Sequence, residues 1–147
     1  MENLGTVLRI IAAKQTLPGA LLPILHEIQE ELGHIPPESV PLIAKELNLS
    51  RAEVHGVITY YHHFRQTPPG RHVVRVCCAE ACQAVGGEAL AEHARTRLAG
   101  SEVTLEPVYC LGLCACGPAL QVDETHLHAA MTPAKFDALV ARLESEG

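Results

Sequence analysis

The chain has no tryptophan, and its aromatic residues are three tyrosines and two phenylalanines in 147 residues. With aromatics at 3% and apolar residues at 48%, the core has to be built from Leu, Val, Ile and Ala. Positive charge is also scarce: eleven Lys and Arg stand against seventeen Asp and Glu, a net charge of −6. An acidic chain is repelled by phosphate backbones and anionic headgroups, which argues against nucleic acid or a membrane surface as partner. No apolar run approaches the ~18 residues of a membrane span. The opening MENLGTVLRIIAAKQTLPGA lacks the basic start and long apolar stretch of a signal peptide. These absences predict a soluble, cytoplasmic protein without membrane insertion. Two chemical signatures are missing as well: no G-x-G-x-x-G or phosphate loop for a nucleotide, and no C-x-x-C pair for thiol–disulfide exchange.

What is present divides in two. Residues 1–66 carry no cysteine and read as a helical domain. Leu21, Leu22, Ile24, Leu25, Ile28 and Leu32 recur at helical spacing up to Gly33, with Pro23 confined to the first turn. A second helix is expected from Pro37, with Val40, Ile43, Ala44 and Leu47 on one stripe. A third opens at Ser50, where Glu53 completes a capping box, and Val54, Val57, Ile58 and Tyr61 are its expected buried face. Tyr60, Tyr61 and Phe64 form the one aromatic cluster, expected to anchor the helices to the second domain. TPPG at 67–70 breaks the chain and sets the boundary.

Residues 67–147 alternate element types. HVVRVC (72–77) and EVTLEPVY (102–109) read as strands, and GGEALAEHARTRLAG between them as a helix. ALQVDETHLHA (119–129) reads as a hairpin turning at Asp123–Thr125. A closing helix has Thr132 as N-cap, Pro133 at its first position, and Phe136, Leu139, Val140 and Leu143 inward. The order β-α-β-β-β-α predicts an α/β (α+β) chain: an N-terminal helical bundle, then a thioredoxin-like domain with a four-stranded mixed sheet.

All six cysteines lie in the second half, in two groups, Cys77, Cys78, Cys82 and Cys110, Cys114, Cys116. In a reducing compartment such groups are metal ligands or redox thiols more often than disulfides. Each group falls where an expected strand gives way to a loop. If those strands are neighbours, the thiols meet at one end of the sheet. Cys77 and Cys82 make C-x4-C, Cys110 and Cys114 make C-x3-C, and four thiolates is the number a [2Fe–2S] cluster requires. Adjacent residues in extended chain point to opposite faces, so Cys78 competes poorly with Cys77. Cys116 is too close to Cys114 to share one small site. Both are expected to be buried small hydrophobes.

VCCAEACQAVGG and YCLGLCACGPALQV resemble the thioredoxin-like [2Fe–2S] subunit shared by NAD-linked oxidoreductases: respiratory complex I, NAD-reducing hydrogenases and NAD-dependent formate dehydrogenases. Residues 19–65 are similar to the helical domain of the same subunits. The resemblance implies Cys77, Cys82, Cys110 and Cys114 as cluster ligands and leaves Cys78 and Cys116 outside. The short connection between the helix ending at Gly100 and the next strand looks most like the gamma subunit of a cytoplasmic NAD-dependent formate dehydrogenase. That implies a partner subunit carrying FMN and the NAD site, a larger molybdenum/iron–sulfur subunit, and no turnover by the isolated chain. No catalytic residue is expected here.

Three rivals fit less well. Zinc ribbons favour C-x2-C knuckles, and the nine histidines supply no third partner near His62–His63 or His126 and His128. A disulfide enzyme lacks its active pair. A DNA-binding regulator is argued against by the acidity and the absence of a base-reading face.

Overall fold

In the computed structural model, which describes residues 2–146, the chain divides into two compact units between Pro68 and Pro69.

The first unit holds four helices: α1 (Glu2–Lys14), α2 (Leu21–Leu32), α3 (Ser39–Glu46) and α4 (Arg51–Tyr60). The apolar stripe of α2 buries Ile24, Leu25 and Ile28 completely, against Val7 and Ile10 of α1, Ile43 of α3 and Val54 of α4. Each such side chain contributes roughly 1.5–3 kcal/mol of burial. The helix stops at Gly33, whose φ of 76° is left-handed. At α4, Ser50 accepts from the Glu53 N–H while the Glu53 carboxylate accepts from the Ser50 N–H, the expected capping box. Two features carry no clear signal in the sequence. A whole helix, α1, precedes Leu21, and Gln29 on α2 is buried, its amide donating to the His63 carbonyl at 2.7 Å and accepting from Arg65 N–H at 2.7 Å. Gln29 thereby fixes the segment that leaves α4.

Some positions differ from the sequence-based expectation. The third helix of the unit begins at Ser39, because Pro36 and Pro37 form a turn in which the Ser39 hydroxyl donates to the Pro36 carbonyl. Tyr61 lies past the end of α4 and, like Tyr60, is exposed. Phe64 packs inside the helical unit's own core, with the His26 and His63 rings about it. It is a core residue of the first unit, not the interdomain anchor expected of it.

The second unit contains β1 (His72–Cys77), α5 (Glu80–Gln83), α6 (Gly87–Leu98), β2 (Val103–Val108), β3 (Leu120–Val122), β4 (His126–His128) and α7 (Pro133–Ser145). The four strands form one mixed sheet in the order β2-β1-β3-β4, with β1 parallel to β2 and antiparallel to β3. The one-turn helix α5 has no sequence signal. Val74, Val76, Leu120 and Val122 alternate onto one face and are buried with Leu90, Ala94 and Leu98 of α6 and Phe136, Leu139 and Val140 of α7. Thr132 caps α7 by accepting from the Lys135 N–H. His93 and Arg97 reach across to Asp137 and Glu144, tying α6 to α7.

The other face of β1 carries Arg75, which is buried. It pairs with Glu106 of β2 at 3.2 Å and Glu124 of the hairpin turn at 2.9 Å, and also bonds Gln121 of β3. Strand β2 lies at the sheet edge, where Pro107 removes a backbone donor and blunts the edge against further pairing. Among the described residues no helix is long and apolar enough to cross a membrane.

Candidate metal centre

Strand pairing puts the two cysteine groups together. In the β1/β2 register Cys77 stands opposite Val108. The chain therefore leaves β1 into Cys78 and leaves β2 into Tyr109–Cys110 at the same end of the sheet. Cys78 N–H donates to the Val108 carbonyl at 2.7 Å, and Cys77 N–H to the Ala119 carbonyl at 3.0 Å, which locks both loops to the sheet end.

The thiols differ sharply in exposure. Cys77 and Cys82 are buried with Ala119 in a small apolar cluster that Val108, Leu111 and Leu113 border. Cys110 and Cys114 are exposed, their sulfurs 3.5 Å apart. All six cysteines are free thiols. Burial raises the Cys82 thiol above its ordinary range, with the Ala119 N–H opposing that rise. Cys110 is lowered, first because the Gly112 N–H donates to its sulfur at 3.3 Å and then because of Cys114. Cys114 is raised, chiefly by sharing a hydrogen with Cys110. The interaction of Cys82 and Cys114 with Cys77, and of Cys82 with Cys114, couples the two pairs electrostatically across the loops.

Backbone geometry in the second loop is unusual. Cys110 has φ 99°, a region that costs an L-residue on the order of 1–3 kcal/mol and persists where surrounding structure imposes it. Gly112 at φ 77° turns its N–H back onto the Cys110 sulfur. Small residues at 112, 115 and 117 let backbone N–H groups approach sulfur; among Gly112, Ala115 and Gly117, the bond is present at Gly112.

Cys78 points to the opposite face from Cys77, as alternation requires. It packs beside the α6 side of the sheet, and burial raises its thiol. It lines a cleft of about 570 Å³ with Val76, Ala91, Leu105 and Arg95. Cys116 is exposed, not the buried hydrophobe expected, because the one-turn 3-10 helix Cys114–Cys116 turns it outward. Among the described residues no three His, Cys, Asp or Glu side chains converge as on one mononuclear ion. Four thiols held as two pairs suit a two-iron cluster, which takes all its protein ligands from cysteine.

A sheet of this topology with paired thiols at one end is a thioredoxin-like fold built around thiolate ligation. Residues 7–144 match the family model for the thioredoxin-like [2Fe-2S] ferredoxin, and the chain belongs to that family. The cofactor that defines it is a [2Fe–2S] cluster. NADH-quinone oxidoreductase subunit 2 of Thermus thermophilus is 31% identical over 134 residues, covering 86% of this chain and 74% of that one. A subunit of the NADH-quinone oxidoreductase of Pseudomonas aeruginosa is 34% identical over 116 residues, covering 73% of this chain and 70% of that one. Among solved structures, air-oxidized NAD+-reducing [NiFe]-hydrogenase superposes with a TM-score of 0.67 at 23% identity, over 90% of this chain. That likeness is one of fold, and this chain spans 24% of the hydrogenase chain's length.

Proposed function

We propose that Cys77, Cys82, Cys110 and Cys114 hold a [2Fe–2S] cluster and that the chain is an electron-transfer subunit beside a partner subunit carrying FMN and the NAD site. The observation that carries this is the pairing of Cys77 with Val108, which brings both thiol loops to one end of the sheet. When bound, the cluster supplies a one-electron station. The chain's own residues prepare the place. Cys77 and Cys82 bring sulfur into a dry apolar pocket, and the N–H groups of Gly112 and Ala119 favour negative charge on the Cys110 and Cys82 sulfurs. Cys78 and Cys116 stand outside the set.

We assign the parent complex as a cytoplasmic NAD-dependent formate dehydrogenase with a molybdenum/iron–sulfur subunit. Support comes from the short connection between α6, ending at Leu98, and β2, beginning at Val103. A second reading, the equivalent subunit of an NADH:quinone oxidoreductase, is favoured by the names of the curated relatives. Purifying the native assembly and assaying it with formate, hydrogen and quinone decides between them; NAD reduction by formate is expected, and quinone reduction without formate activity overturns the assignment. For the ligands, single Cys→Ser substitution is expected to bleach the chain at 77, 82, 110 and 114 and to spare it at 78 and 116. Full colour in Cys114→Ser with loss in Cys116→Ser reverses the second pair.

A further inference from the structure

Cys82 is gripped between two residues that have no side chain. A Cβ at Gly87 would lie 2.6 Å from the Cys82 carbonyl oxygen and 2.8 Å from its carbon. A Cβ at Gly117 would lie 2.9 Å from the Cys82 sulfur, 3.3 Å from a Val85 methyl and 3.4 Å from the Cys82 Cα. Neither contact comes from a local turn: Gly87 opens α6, and Gly117 leaves the second cysteine loop, far along the chain from Cys82. Gly117 has φ −69°, which any residue adopts, so its backbone does not require glycine. Space does.

We propose that Gly87 and Gly117 are positioning residues for the Cys82 sulfur, and that Gly117 sets the separation between the two cysteine loops. The second loop touches the first through a gap that fits a hydrogen and not a methyl. The loop is otherwise tied down: Ala130 N–H donates to the Cys116 carbonyl at 2.7 Å and Met131 N–H to the Pro118 carbonyl at 3.0 Å. Cys82 is also buried among Cys77, Ala119 and their neighbours, so its sulfur has little room to retreat. A methyl at 117 therefore displaces the sulfur relative to Cys110 and Cys114, although Gly117 is not itself a ligand. At Gly87 the colliding atoms are backbone, so the same change acts through the peptide and disturbs α5 as well.

This inference rests on Cys82 being a ligand, and the test separates the two. The full chain is loaded with iron and sulfide as wild type, Cys82→Ser, Gly117→Ala and Thr132→Ala. Visible circular dichroism, the reduced-state paramagnetic resonance spectrum and iron content are read on each. Thr132→Ala weakens the α7 cap without touching the thiols and controls for general destabilisation. The expected result is an altered spectrum and reduced iron content in Gly117→Ala, with Thr132→Ala matching wild type. Should Gly117→Ala fail to fold, the double variant with Val85→Ala removes the methyl contact at 3.3 Å while keeping that to sulfur at 2.9 Å. It is then expected to fold and still show the altered spectrum. A Gly117→Ala chain, or the double variant in its place, with wild-type spectrum and iron content overturns the inference. Loss of the signal in Cys82→Ser alongside it leaves the ligand assignment standing; full signal in Cys82→Ser removes the ligand assignment itself.

Discussion

Replacing Arg75 by Met tests how the sheet tolerates a cation on the face opposite its helices. The guanidinium side chain is 9% exposed, and its Glu106 partner 17%. Removing one member of a buried pair costs about 3–5 kcal/mol, because the other charge stays desolvated. The residual exposure of Glu106 puts the expected cost at the low end. Glu124 is 60% exposed, so its pairing with Arg75 adds under about 1 kcal/mol. Arg75→Met should therefore destabilise the second unit by about 3 kcal/mol, a fall in melting temperature of roughly 12–24 °C for a unit of this size. The two units need not melt together, so the cluster-free chain is followed by hydrogen exchange at the Val74 and Val76 amides, which report the second unit alone. Adding Glu106→Gln should recover part of the loss, since the stranded charge is gone. A loss below about 1 kcal/mol, or a double variant whose cost is the sum of the singles, refutes the reasoning.

Other expectations are simpler to check. Thr132→Ala removes the α7 cap and should cost about 1 kcal/mol in urea unfolding. Phe136→Ala empties the centre of the second core and should cost about 3–5 kcal/mol, with hydrogen exchange in the first unit unchanged. Two carboxyls are held below the ordinary 4.5, Glu53 by its bonds to Ser50 and Glu144 by Arg97. The stability each contributes is complete above that value and fades as pH falls through the lower folded-state value. Glu53→Gln should thus flatten the acid limb of α4 protection in hydrogen exchange, and an unchanged acid limb would contradict the capping role.

Elements whose local signals agree with their packing are legible in the sequence. The capping box at Ser50, the Thr132–Pro133 start of α7 and the Asp123–Thr125 turn each encode their own boundary within a few residues. Helix α1 is not, because its stripe is only Val7, Ile10 and Ile11, interrupted by Gly5, and is stabilised by contact with α2 and α3. Gln29 and Arg75 are polar residues whose burial depends on partners 34 and 31 or more positions away, so no local pattern marks them. The C-x4-C and C-x3-C spacings name the candidate thiols. Their division into a buried and an exposed pair follows from the strand register, and spacing carries no record of that. Likewise, the outward turn of Cys116 follows from a single 3-10 turn that its neighbours do not announce.

The second cysteine loop is fastened from behind by backbone bonds from Ala130 and Met131, which follow every cysteine in the chain. A nascent or truncated polypeptide that stops short of them offers its sulfurs without their final spacing. Emergence of that stretch from the ribosome is thus a natural checkpoint: the clasp becomes ready for iron only after its rear fasteners have been made.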